Sequence, residues 1–179
     1  MHDGCEVRTT PGKGRGVFAS KKFRALDIVM VGTIEELSDT NHSHASQIGE
    51  GRYAFHAGLI PMVNHSCDPN CGISVNEGGG HDFVAMKEIG VGEEVCFDYD
   101  MRNYSIDHFP HLCVCGSVLC RGSITGWKNL DAQTRQKYFG FVPPYILEMD
   151  AAEEASFRTV SDAARSHVAA ALRASEGER

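Results

Sequence analysis

Asn64-His65-Ser66-Cys67-Asp68-Pro69-Asn70-Cys71 is the densest run of hydrogen-bonding and ligand groups in the chain. Asp68-Pro69-Asn70 inside it is a turn signal, because proline presets φ and the flanking Asx side chains bond the nearby backbone. Alone, the stretch reads as a polar turn holding a satisfied histidine. Its meaning comes from what stands on either side.

Downstream, Gly92-Glu93-Glu94-Val95-Cys96-Phe97-Asp98-Tyr99 reads as a strand entered through a glycine turn. The two-residue period puts Phe97 and Tyr99 on one face and Asp98 on the other. Further on, Cys113-Val114-Cys115 followed by Cys120 forms a C-x-C-x4-C cluster in a glycine-containing loop. Three thiolates leave a tetrahedral zinc one ligand short. Candidates for the fourth are Cys67, Cys71, Cys5, Cys96 and a nearby histidine such as His111. So short and polar a loop cannot form its own core, and metal coordination would supply the missing folding energy. Upstream stands Gly12-Lys13-Gly14-Arg15-Gly16, whose alternating glycines let a backbone approach a ligand closely. The pattern is not G-x-G-x-x-G and no helix follows, so a dinucleotide fold matches poorly. A flexible turn and a ligand loop both remain open there.

Composition bounds the alternatives. The 179 residues are 42% hydrophobic and 23% charged, which fits one globular domain with a small appendage and argues against disorder. No stretch approaches the ~18 consecutive apolar residues of a membrane span. The start, MHDGCEVRTT, lacks the apolar core of a secretory signal, so a cytoplasmic location is expected, with a nuclear one left open. Seven cysteines, an odd number without such a signal, favour metal or thiol chemistry over a disulfide framework. Seventeen basic residues against 24 acids give a net charge of −7, which argues against nonspecific nucleic-acid binding. The charge is uneven. Arg8 to Arg24 holds six basic residues and no acid, while Glu88 to Asp107 holds six acids and one base, Arg102. These are either two solvated faces, or a basic rim for an anionic cofactor group and an acidic rim for a cationic substrate.

Short strands are expected at Glu6–Thr9, Val17–Ser20, Asp27–Thr33, Tyr53–His56, Ile73–Asn76, Asp82–Met86 and Glu94–Tyr99, with Gly78-Gly79-Gly80 as a hairpin loop. Ser38–Gly51 reads as a polar loop. Leu130–Phe139 suggests a short helix, with Asn129 or Asp131 as its cap and Gly140 as its stop. Pro143-Pro144 then breaks the chain, and a further helix follows from about Asp150. Its apolar stripe of Phe157, Val160, Ala164, Val168 and Ala171 or Leu172 is expected to pack on its own chain. The whole predicts a mainly β fold with short helices.

Taken in order, GKGRGVFA, NHSCDPNC, GEEVCFDY and CVCGSVLCRG resemble the SET-domain protein lysine methyltransferases that carry a post-SET zinc motif, over roughly residues 5–126. The continuation GWKNLDAQTRQKYFGFVPPYIL is similar to the C-terminal extension of small stand-alone SET proteins. The resemblance implies a SET-domain β-clip with a pseudoknot over residues 5–108, a post-SET zinc-binding segment over 109–126 and a C-terminal helical extension over 127–179. It places S-adenosylmethionine against Lys13, Gly14 and Arg15, with Asn64 and His65 holding its amino-acid and adenine parts and Tyr53 lining its site. Tyr99 matches the active-site tyrosine, and Phe97 the position that helps set how many methyl groups are added. Cys67 matches the ligand that completes zinc coordination by Cys113, Cys115 and Cys120, leaving Cys71 and Cys96 outside the metal site.

The implied substrate is a protein or peptide with an accessible lysine, and a basic one suits the acidic segment. Free lysine has a pKa of ~10.4, which an apolar channel and a nearby sulfonium would depress. Orientation, worth up to ~7–11 kcal/mol, would supply most of the rate. The chain also departs from the pattern. Val29-Met30-Val31-Gly32-Thr33 stands where many members have a tyrosine and a G-E pair, and Pro61-Met62-Val63 where Arg-Phe usually precedes the Asn-His pair. The insert from Ser38 to Ile60 is short. These departures keep two other functions open: methyl transfer to a small molecule or free amino acid, and a catalytically silent binding module.

Overall fold

The strands follow the short β-branched and aromatic runs between glycine turns. In a computed structural model that describes residues 4–10, 12–107 and 112–176, without the side chains of 162–164 and 166–176, they are ten. In chain order these are β1 (Cys5–Thr10), β2 (Gly14–Ala19), β3 (Ile28–Met30), β4 (Ile34–Ser38), β5 (Ala45–Gly49), β6 (Arg52–His56), β7 (Asn64–His65), β8 (Cys71–Val75), β9 (His81–Ala85) and β10 (Glu94–Phe97). Short 3-10 turns cover Ile60–Met62, Tyr99–Met101 and Trp127–Asn129. Helices α1 (Ala132–Lys137) and α2 (Pro144–Glu176) close the chain.

One sheet runs β1-β2-β10-β8-β9-β3, with β7 also on β10, and a second runs β4-β6-β5. The decisive pairings are parallel. Cys96 lies opposite Asn64, and Phe97 lies opposite both His65 and Cys71. Two motifs far apart in sequence thus run side by side. The β8–β9 hairpin turns where the glycine triplet predicted it. The Asn76 side-chain oxygen accepts from the Gly78 and Gly80 amides at 3.0 and 3.1 Å, and Gly79 takes the left-handed φ of +77°.

The core draws on the central strands, the turns beside them and the start of α2. Val17, Phe23, Ile73, Phe83, Ile89, Val95, Phe97, Met101, Trp127 and Ile146 are all buried together. Burying each such aliphatic or aromatic side chain contributes about 1.5–3 kcal/mol. A smaller cluster of Cys67, Ile106, Cys113 and Ile124 lies under the cysteine loop.

Three expectations need correction. The stretch read as a loop over Ser38–Gly51 contains strand β5, and β4 precedes it. Neither carries a strand pattern, because β4 is mostly exposed and the polar residues of β5 are buried by distant partners. The Gln47 amide donates to Asn103 Oδ1 at 3.0 Å, and Gln47 Oε1 accepts from the Tyr104 amide at 2.8 Å. Helix α2 opens at Pro144 rather than near Asp150. Proline suits a first helical turn, where no intrahelical N–H is needed. Finally, Phe157 and Val160 are 76% and 66% exposed, so these two members of the apolar stripe do not pack on their own chain. The stripe's other members, Ala164, Val168, Ala171 and Leu172, lie outside the described side chains. Helix α1 is capped as expected, with Asp131 Oδ1 accepting from the Thr134 amide at 2.8 Å.

Candidate active site and thiol cluster

The β1–β2 turn brings Lys13, Gly14 and Arg15 over the β7–β10 pair. Asn64 Nδ2 donates to the Arg15 carbonyl at 3.1 Å and to Glu94 Oε1 at 2.7 Å, while Lys13 Nζ pairs with Glu94 Oε2 at 3.3 Å. Gly16 sits against this knot of side chains. A Cβ there would lie 2.6 Å from Glu94 Oε1 and 2.8 Å from Asn64 Nδ2. Beside it opens a cavity of about 220 Å³ lined by Gly12, Lys13, Asn64, His65, Tyr99, Leu112, Cys113, Val114, Cys115 and Ile124. Lys13, Asn64 and His65, expected to bind a cofactor, therefore meet Tyr99 at one cavity. Tyr53 does not join them. It lines a separate groove on the small sheet with Glu36, Asp39 and Arg52. Burial and, secondarily, the charge of Asp107 raise its phenol above the ordinary value.

Phe97 and Tyr99 pack as expected for residues on one face. Phe97 meets Phe83 edge-on at 4.8 Å between centroids and Tyr99 at 5.0 Å. The Tyr99 hydroxyl donates to the Val63 carbonyl at 3.0 Å. Burial raises its phenol and the Arg102 charge opposes the rise. The hydroxyl therefore stays protonated at neutral pH and serves as a hydrogen-bonding group rather than a base. Arg102 stacks against both rings, 5.1 Å from the Tyr99 centroid and 5.9 Å from that of Phe97. Sequence reading counted Arg102 only as a lone base among acids.

The cysteine loop folds back onto the knot. Donor atoms of His65, Cys67, Cys113 and Cys115 lie within 4.8 Å of one another. Cys120 stands next to them, its sulfur 3.6 Å from the Cys113 carbonyl and accepting from the Gly122 amide at 3.4 Å. His111 lies outside the described residues.

The hydrogen bonds of His65 decide its role. Burial holds its imidazole down to about 4, with Asp98 opposing, so the ring is neutral. Its Nδ1 accepts from the Tyr99 amide at 3.2 Å, which leaves the proton on Nε2, 3.3 Å from Cys67 Sγ. His65 thus donates to the Cys67 sulfur and has no free lone pair for a metal. The Arg121 amide also reaches that sulfur, at 3.4 Å. Such N–H···S bonds stabilise thiolates that carry a metal.

Burial pushes Cys67 up to about 11. It also works to raise Cys115, but the amides of Cys67 and Ser117 and the thiols of Cys113 and Cys120 outweigh it and hold Cys115 at about 7. A soft sulfur set, with Cys67 and Cys113 buried and its own amide donors, fits zinc. Cys5, Cys71 and Cys96 are not in this cluster, and burial raises all three thiols.

The acidic segment is not a free rim. Asp98 and Asp100 are buried and both pair with Arg121, at 2.6 and 2.7 Å. Glu94 belongs to the Lys13 and Asn64 knot, Glu93 accepts from the Asn70 side chain at 3.0 Å, and Glu88 pairs with Lys22 at 2.9 Å. Asp98 and Asp100 are thus structural, whereas Glu88 and Glu93 are exposed and the Glu88 pair lies at the surface.

Residues 14–100 match the SET domain family model. The chain is 32% identical to "Histone-lysine N-methyltransferase ATX2" of Arabidopsis thaliana over 69% of this chain and 13% of that protein. It is 28% identical to "Histone-lysine N-methyltransferase SUV39H2" of Homo sapiens over 66% of this chain and 38% of that protein. It therefore spans well under half the length of these relatives. Among solved structures, KRYPTONITE in complex with mCHG DNA and SAH superposes with a TM-score of 0.53 at 22% identity, covering 67% of this chain and 28% of that one. The family model and the fold together mark residues 14–100 as a SET domain.

Proposed function

We propose that the protein transfers a methyl group from S-adenosylmethionine to the side-chain amine of a lysine in a protein substrate, and that Cys67, Cys113, Cys115 and Cys120 hold a structural zinc. The observation that carries the first part is the single cavity shared by Lys13, Asn64, His65 and Tyr99. The second part rests on the His65 tautomer, which removes the imidazole from the donor set and leaves the neighbouring Cys120 as fourth thiolate. Bound there, S-adenosylmethionine would supply a sulfonium methyl group for in-line attack by a neutral amine, with the thioether as leaving group.

The chain's own part is positional. Asn64, fixed by Arg15 and Glu94, and the backbone around Gly14 would hold the donor. Tyr99, anchored on the Val63 carbonyl, would orient the acceptor nitrogen, and Phe97 would wall its approach in apolar surface. Such surface favours the neutral amine that displacement needs. The Arg102 charge beside the same rings acts in the same direction. The relatives named above are histone-lysine methyltransferases, so histones are the first acceptors to try.

The test is transfer of radiolabelled methyl from S-adenosylmethionine by zinc-loaded protein, on histones and on whole lysate. Label in a protein lysine is expected, with stoichiometric zinc. Tyr99→Phe is expected to keep donor binding and lower turnover. Label confined to small molecules would overturn the protein-substrate reading, and absence of donor binding would overturn methyl transfer altogether.

A further inference from the structure

Arg121 directly follows Cys120 in the thiol loop, and its side chain leaves that loop for the strand end that carries Tyr99. Nη1 meets Asp98 Oδ2 at 2.6 Å and Nη2 meets Asp100 Oδ2 at 2.7 Å. These carboxylates stand on either side of Tyr99 and are almost fully buried, at 0% and 2% side-chain exposure. Two buried carboxylates this close repel unless a cation lies between them, and a planar fork can serve both at once.

Both carboxylates have further partners. Asp98 Oδ1 accepts from the Asp100 amide at 3.1 Å, which closes the turn Tyr99–Met101, and Asp98 Oδ2 accepts from the Tyr138 hydroxyl at 2.8 Å. Asp100 Oδ1 accepts from the Thr125 and Gly126 amides at 3.0 and 2.6 Å, both from the far end of the thiol loop. The loop itself buries little, with Val114, Val118 and Leu119 exposed. Its order therefore depends on whatever closes its sulfurs.

We infer that Arg121 is a positioning residue that couples closure of the thiol loop to the placement of Tyr99, by bonding with one guanidinium both carboxylates that flank the tyrosine. The inference rests on the reading that the four thiols hold a metal, and is independent of whether methyl transfer occurs. Metal binding at the cysteines draws Arg121 into place. Arg121 then holds the turn whose amide bonds His65 and whose hydroxyl bonds the Val63 carbonyl.

Hydrogen exchange of residues 97–102 in the full chain tests this in four states: native and Arg121→Met, each zinc-loaded and after chelation. In the native chain, zinc removal is expected to speed exchange by ~10-fold or more, the scale of one lost charge-assisted bond to a buried group. In Arg121→Met with zinc still bound, the segment is expected to be fast already, so that chelation adds less than ~3-fold. Arg121→Lys, which has no fork to span both carboxylates, is expected to fall between and guards against a misfolded methionine variant. Equal acceleration on chelation in native and variant chains would mean Arg121 is only a local support and would overturn the coupling. So would loss of zinc from both variants, or a native chain that takes up none. Coupling without methyl transfer would leave this inference standing and refute the proposed function instead.

Discussion

Replacing Arg102 by methionine is expected to stabilise the protein by about 1–3 kcal/mol, against the usual sign for loss of a buried side chain. Arg102 is 7% exposed, and its Nε and Nη2 are buried without a hydrogen-bond partner among the described residues. Burial pulls its guanidinium below the ordinary value, and only Tyr99 opposes. A guanidinium taken out of water with two of its three nitrogens unbonded among the described residues costs several kcal/mol even after relaxation. Against this stand the two ring contacts. The one at 5.1 Å to Tyr99 is worth about 2 kcal/mol when desolvated, and the one at 5.9 Å to Phe97 lies at the edge of the effective range. Methionine fills similar space and recovers about 0.3–1.5 kcal/mol through its own sulfur–aromatic contacts. Desolvation therefore wins. Urea denaturation of the zinc-loaded chain should show a higher midpoint with an unchanged slope. Arg102→Ala is the control and should lose about 2–5 kcal/mol through the cavity it leaves. If Arg102→Met instead loses about 2 kcal/mol or more at unchanged slope, the guanidinium has a counter-charge, and the reasoning from an unpaired cation fails.

Acid should destabilise the fold between pH 6.5 and about 4. Burial holds His56 and His65 down to about 4 and also holds His81 well below its ordinary value, whereas each protonates near 6.5 when unfolded. The unfolded chain then binds more protons in that window, so stability is full above it and falls on acidification by about 1.4 kcal/mol per pH unit for each histidine. Melting temperatures that stay level from pH 7 to 4 would contradict the buried, neutral state of these rings. Separately, Gly16→Ala should weaken S-adenosylmethionine binding by ~10-fold, because the new methyl displaces the Glu94 and Asn64 side chains it would touch at 2.6 and 2.8 Å. Calorimetry reads this directly, and unchanged affinity would remove the Asn64–Glu94 knot from the cofactor site.

Much of the site was legible because its pieces are local. The order of the glycine loop, NHSC, FDY and C-x-C-x4-C marks a SET domain, and alternation along Glu94–Tyr99 already put Phe97 and Tyr99 on one face. The Asp131 cap and the glycine hairpin also follow from residue types and short-range geometry. What tertiary structure decided depends on pairing between distant segments. Strand register placed Glu94 beside Lys13 and Asn64, where composition left it in either a solvated face or a substrate-facing rim. Pairing with β6 and buried bonds to Asn103 and Tyr104 turned the polar stretch Ala45–Gly49 into a strand. Tyr53 went to another groove because β6 belongs to the small sheet. His65 became a donor to Cys67 only because the Tyr99 amide occupies its other nitrogen. A one-dimensional sequence carries ligand types and their spacing. Which oxygen meets which cation, and which lone pair is already taken, is set by the parallel β7–β10 pairing, whose partners no local propensity specifies.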